Sequence, residues 1–219
     1  MNQTDQKRPL MRASLLLKTA PVLAALLLGG CLSLGGKVPE TLFTLTAETP
    51  LAAGTAISGK PAEAIVVFEP ETDRRLGVQR VAVQIDPTNV AYLQNAMWVE
   101  RPARLFQTLL AETIRSKSGK LVLLADDNPG TGAIRLNGRL IDMGYDAPGL
   151  RAVVRFDAIR TDGTGTVATK RFESVVSGVA ADAVQVAPAL NQAANEVSQQ
   201  VAEWLAVSSA PAVQTPVQP

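Results

Sequence analysis

The sequence predicts an α+β fold: a mixed or antiparallel sheet packed with two main helices in a single domain, with an extended segment before it and a tail behind it. Three observations predict this. Short β-branched runs surround one amphipathic stretch in the first half, three longer alternating strands follow one another in the second half, and a second amphipathic stretch closes the folded part. Of the 219 residues, 47% are apolar and 19% charged, which is enough for a substantial core. Aromatics make up only 4%, so that core is expected to consist mainly of Val, Leu, Ile and Ala.

Residues 64–68 (AIVVF) and 80–85 (RVAVQI) read as short strands rich in β-branched side chains. Residues 92–99 (YLQNAMWV) read as a tight hairpin with Gln94-Asn95 at its turn. Pro102 suits the first turn of a helix, where its missing N–H is not needed. Leu105, Phe106, Leu109, Leu110 and Ile114 then recur on one helical face, and Gly119 suits a left-handed cap. Residues 120–124 (KLVLL) read as a buried strand.

Ile134, Leu136, Gly138 and Leu140 share one face of the first long strand. Ala152, Val154, Phe156 and Ala158 share a face of the second, with Arg151, Arg155 and Asp157 opposite. Asp162-Gly163-Thr164-Gly165 turns the chain into a third strand over about 167–176. The last helix, 186–206, carries Val186, Leu190, Ala194, Val197, Val201 and Leu205 at close to a 3.6-residue period. The folded body is therefore expected over 62–207. Residues 31–61, rich in Gly, Thr, Pro and Ala, read as a tether holding one short edge strand at 42–45, and the uncharged Pro- and Gln-rich residues 208–219 read as a disordered tail.

The amino terminus has its own pattern. Lys7, Arg8, Arg12 and Lys18 precede an uncharged apolar run, 20–28, which leads directly to Gly29, Gly30 and Cys31. Basic start, short apolar segment and small residues at a cleavage point are the layout of an export signal. The run is too short to span a bilayer, which takes about 20 apolar residues. Leu28-Gly29-Gly30-Cys31 has the form of a lipobox, so residues 1–30 are expected to be a lipoprotein signal peptide and Cys31 the acylated first residue of the mature chain. Leu32 follows the cysteine. An Asp there favours inner-membrane retention in enteric bacteria, so Leu32 fits an outer-membrane address.

Composition excludes several function classes. The chain has no histidine and one cysteine, which removes Ser-His-Asp and Cys-His catalysis, the usual zinc sites and any intramolecular disulfide. Once 4 of 21 basic and 1 of 20 acidic residues leave with residues 1–30, the body has a net charge of −2, which argues against a general nucleic-acid binder. Asp126-Asp127-Asn128 lacks the spaced ligands of a calcium loop and reads as a solvated turn ahead of Pro129-Gly130. Gly163-Thr164-Gly165 is a hairpin tip, without the strand and helix of a dinucleotide fingerprint. Arg74-Arg75 and Lys170-Arg171 read as solvated surface. No catalytic residue, metal site or cofactor is expected, and the protein is read as non-enzymatic. Tyr92 and Trp98 have two readings: core packing against the first helix, or a ring that faces outward as a partner contact.

Taken in order, the lipobox, the Phe43-Thr44-Leu45 strand, the 80–85 segment and Tyr92-x5-Trp98-x3-Pro102 opening a helix with Leu109-Leu110 resemble the ABC-type transport auxiliary lipoproteins, which include the paraquat-inducible lipoprotein group. In that pattern an aromatic residue and then Trp-Ala-Glu-Pro-Pro, or similar, lead into the helix. Here the stretch is Met97-Trp98-Val99-Glu100-Arg101-Pro102, with Val for Ala and Arg for the first Pro. The resemblance covers nearly the whole mature chain. It implies a lipid-anchored protein on the periplasmic side of the outer membrane that assists an ABC transporter and an MCE-domain protein in moving phospholipid between membranes. It further implies docking onto the end of the MCE assembly, homo-oligomers in some members, and no catalytic residues. The alternative reading is a structural or assembly lipoprotein of the outer membrane, a partner of lipopolysaccharide export or of the Tol system.

Overall fold

The computed structural model describes residues 41–127 and 134–208, all within one compact unit. In chain order the elements are β1 (Ile65–Val67), β2 (Arg80–Gln84), β3 (Val90–Met97), α1 (Pro102–Ser118), β4 (Val122–Leu124), β5 (Ile134–Asp146), β6 (Arg151–Thr161), β7 (Val167–Ser177) and α2 (Ala183–Ser208). This is the α+β sheet-and-two-helix architecture that the alternation predicts.

At 13 residues β5 is long enough to pair with two different strands along one edge. Its first three residues run parallel to β1, with Ile65 beside Ile134 and β4 beyond, and its last three run parallel to β2, with Ala82 beside Gly144 and β3 beyond. The other edge pairs antiparallel with β6 throughout, and β6 with β7. The sheet is therefore mixed. Between β1 and β2 the chain stays beside β5: Glu71 N–H donates to the Gly138 carbonyl (3.0 Å) and Leu140 N–H to that of Glu71 (2.9 Å).

Both helices cover one face. The α2 stripe of Val186, Leu190, Ala194, Val197, Val201 and Leu205 is buried, as are Phe106, Leu109, Leu110 and Ile114 of α1. They meet Ala152, Val154, Phe156 and Ala158 of β6, and Phe106 packs edge-on against Phe156 at 5.2 Å. The Phe156 ring occupies the space above Gly138: a Cβ there would lie 2.6 Å from ring carbons and would also strike the Asp157 carbonyl oxygen. Leu109 is 3% exposed, so Leu109→Ala is expected to cost about 2–5 kcal/mol. Denaturant unfolding checks this; a loss under about 0.5 kcal/mol, the range of surface substitutions, would contradict the packing of this face.

Local chemistry sets the helix ends. Pro102 opens α1, and Gly119, at φ +62°, closes it with its N–H donating to the Arg115 carbonyl. The last helix begins three residues before its predicted start and runs through Pro188. The Asp182 carboxylate accepts from Gln185 N–H at 3.0 Å, capping the added turn.

Two local expectations are corrected. Residues 92–99 form no hairpin of their own: β3 is a single strand returning from β2. The turn is at 86–89, where the Asp86 carboxylate accepts from the backbone N–H groups of Thr88 and Asn89, both at 2.9 Å. Bonds from the Asn89 amide and from the Thr88 backbone and hydroxyl hold the Asp86 carboxyl down at about 2. Asn95, at φ +52°, lies instead where the register with β2 shifts, in a bulge.

The second correction lies within 31–61, where a tether was expected. Residues 43–51 form a strap across the helices. The strand expected at 42–45 reduces to one parallel bridge between Phe43 and Trp98. Beyond it, Thr46 N–H donates to the Asn191 side chain at 2.8 Å. The buried Asn195 amide accepts from Glu48 N–H and donates to the Thr46 carbonyl, each at 2.9 Å. Leu51 N–H reaches the Glu112 carboxylate on α1 at 2.8 Å. Two asparagines thus replace a neighbouring strand as partners for extended backbone.

Candidate docking face

Among the described residues, no helix or further strand packs on the sheet face opposite the helices. Alternation places Arg151, Val153, Arg155, Asp157 and Ile159 of β6 on it, matched across the ladder by Asp146, Asp142 and Arg139 of β5 and by Ser177, Val175, Glu173 and Arg171 of β7. Opposite charges therefore stand side by side. Asp142 is held by two arginines: Arg75 Nη1 donates at 3.0 Å and Arg155 Nη1 at 2.8 Å. Arg155 continues to Glu173 through Nε, and Arg151 Nε meets Asp146 at 2.6 Å. At the far end Arg171 grips Asp157 with two N–H groups, and those bonds hold the Asp157 carboxyl below the usual range.

This ladder borders a shallow groove of about 390 Å³ with Ala82, Gly144 and Val153 at its floor and Arg75, Gln84 and Arg155 around it. Arg75 also donates to the Gln84 side chain (3.1 Å) and the Ile141 carbonyl (2.7 Å). It is thus a fixed part of this face, and the expectation that Arg74-Arg75 is solvated surface fails for Arg75, whose side chain is 20% exposed. Lys170 lies over the Phe172 ring at 5.0 Å, whereas Arg171 is largely exposed.

Tyr92 and Trp98 separate. Tyr92, opposite Ala82, stands on the open face beside the groove. Its ring is half-buried with the Arg80 guanidinium 4.6 Å above it, and its hydroxyl donates to the Arg75 carbonyl at 3.4 Å. Trp98 is 1% exposed and meets Phe43 edge-on at 6.1 Å. Burial removes its ring from reach, so the partner-contact reading fails for Trp98 and its packing reading holds. Asp126 and Asp127 lie in a helical turn, paired with Arg104 (2.9 Å) and with Leu124 N–H (2.8 Å). Leu28, Gly29, Gly30 and Cys31 lie outside the described residues, as do Asn128, Pro129 and the expected tail from 209.

Arg75, Asp142 and Glu173 are the residues of this face that sequence reasoning missed. The alternation that set Arg151, Arg155 and Asp157 opposite the buried face was the available signal; their partners come from strands far apart in sequence. Chemically the face offers charges in pairs. The exposed Arg171–Asp157 pair contributes about 0.2–1 kcal/mol, little enough to be re-formed with a partner's side chains, while the part-buried Arg75–Asp142–Arg155 group keeps its shape. Among the described residues no helix is long and apolar enough to cross a membrane.

Among solved structures, protein XCC0632 from Xanthomonas campestris, assigned to DUF330, superposes with a TM-score of 0.61 at 19% identity, covering 77% of this chain and 96% of that one. The crystal structure of an uncharacterized protein gives 0.59 at 13% identity, with 75% and 99% covered. At these identities the likeness is one of fold. A search of curated proteins finds no match. The family model for the ABC-type transport auxiliary lipoprotein component matches residues 43–202, from the strap to the last turns of α2. The chain belongs to the ABC-type transport auxiliary lipoprotein family.

Proposed function

We propose that this protein is a non-enzymatic accessory subunit of an ABC-type phospholipid transport system. In this reading it is acylated at Cys31, anchored on the periplasmic side of the outer membrane, and docked through its open sheet face to an MCE-domain protein. The observation that carries the reading is the family match over 43–202 standing directly behind the Leu28-Gly29-Gly30-Cys31 sequence. Leu32 supports the outer-membrane address, and the resemblance supports the MCE partner. The open face supports the docking role: among the described residues no helix lies over it, and its outer ion pair, Arg171–Asp157, is exposed enough to exchange partners. No cofactor enters this function.

A photo-crosslinking residue at Ile159 or Val175, both on the open face and exposed, tests it in intact cells. The expected adduct, identified by mass spectrometry, contains an MCE-domain protein. The same residue at Val78, off the ladder, should give far less of it. Repeated recovery of lipopolysaccharide-export or Tol components alone would replace this reading with the assembly-lipoprotein alternative.

A further inference from the structure

At the start of α2 an apolar patch stands in the open. Val184 is 81% exposed, the highest value among the large hydrophobic side chains of the described residues, and Leu42 beside it is 46% exposed. Together with Phe43, Ala183, Ala187 and Pro188, and with the polar Thr44 and Asn191 at its edge, they line a groove of about 340 Å³. Ala183, Val184, Ala187 and Pro188 recur on one side of the first two helical turns, so the patch is continuous rather than scattered.

The position of the patch identifies its occupant. Leu42 lies at the point where the described chain begins, and Cys31 is eleven residues earlier. Eleven residues reach at most about 40 Å, so acyl chains on Cys31 keep Leu42 within one bilayer thickness of the membrane surface. An apolar patch confined there meets lipid at high effective concentration. We propose that the Leu42–Val184 patch seats on the phospholipid surface and sets the tilt of the body, with the start of α2 toward the membrane and its end away from it. The acyl chains supply the affinity and the patch the orientation. This rests on the reading of Cys31 as the anchor.

Val207 provides the internal control. It is 77% exposed and lies 23 residues further along the same helix, about 35 Å away. Because acylation consumes the Cys31 thiol, a cysteine introduced by Val184→Cys or Val207→Cys is the single reactive one. Each lipidated full-length variant is labelled with a small fluorophore and reconstituted into phosphatidylethanolamine–phosphatidylglycerol vesicles, with or without spin-labelled lipid. An interfacial apolar face sits about 5–10 Å into the headgroup boundary, so the label at 184 is expected to lose about half its emission to the spin label and that at 207 almost none. Adding Leu42→Asp should abolish the quenching at 184 while the protein still floats with the vesicles. Floating protein with no quenching at 184, or with equal quenching at both positions, overturns the proposal and leaves the anchor intact. Protein that does not float at all overturns the anchor itself, and the proposal with it.

Discussion

Cys31→Ala is expected to abolish acylation of the chain, and any processed Cys31→Ala protein is expected to leave the membrane fraction for the soluble one. Each buried methylene contributes about 0.8 kcal/mol, yet a single chain gives only reversible binding, with a constant of about 10⁴ M⁻¹. Two or three chains on one cysteine therefore account for lasting attachment, and removing them all leaves nothing of comparable size. The body carries a net charge of −2, which does not draw it to anionic lipid, and no helix among the described residues is long and apolar enough to cross a bilayer. The exposed patch of Leu42 and Val184 is far smaller than one acyl chain. Position 31 precedes the family domain that begins at 43, so the released protein should unfold at the same temperature as the detergent-solubilised wild type. Fractionation, together with the mass of the amino-terminal peptide, reads the outcome. Mature Cys31→Ala protein that stays in the membrane would require a second anchor and remove the basis for the lipobox reading.

Short-range physics explains what was legible. The first helix announced itself through Pro102, the Phe106-Leu109-Leu110-Ile114 face and Gly119, each acting within a turn or two of chain. The six-residue stripe of the second helix is entirely buried. That helix begins at Ala183, three residues before the apolar stripe does, because the Asp182 carboxylate caps the added turn by accepting from Gln185 N–H. Features made by distant partners were invisible. Thr46 and Glu48 find their backbone partners on Asn191 and Asn195, about 145 residues further on, so the strap looked like a tether. Arg75 looked solvated because Asp142, which holds it, is 67 positions away on another strand. The β2–β3 turn carries no glycine signal because the Asp86 carboxylate folds it, whereas Gln94-Asn95, which has the composition of a turn, lies in a bulge of β3. As for the site, Tyr92 and the β6 charges could be picked out, while the continuous ladder required the register of three strands.

Trp98→Ala should be among the most damaging single substitutions in the body, and Trp98→Phe a mild one. Trp98 is 1% exposed and packs against Phe43, so truncation to Ala removes a large buried ring at a cost of about 3–5 kcal/mol. For a domain of this size that corresponds to a fall in Tm of roughly 6–20 °C. The loss should also reach the strap. Phe43 N–H donates to the Met97 carbonyl at 2.7 Å and Val99 N–H to that of Phe43 at 2.8 Å, on either side of the indole, so hydrogen exchange at both amides should accelerate before global unfolding. Phenylalanine keeps most of the ring and deletes Nε1, which has no acceptor among the described residues in its buried position. An unsatisfied buried donor costs about 1–3 kcal/mol, so its removal offsets much of the volume lost. The pair of variants separates packing from recognition. Packing predicts that Trp98→Phe retains stability, strap protection and crosslinking through Ile159 alike. If Trp98→Phe instead abolished crosslinking at unchanged stability, the indole would have to leave the core to meet its partner, and the strap that covers it would become a moving part of docking.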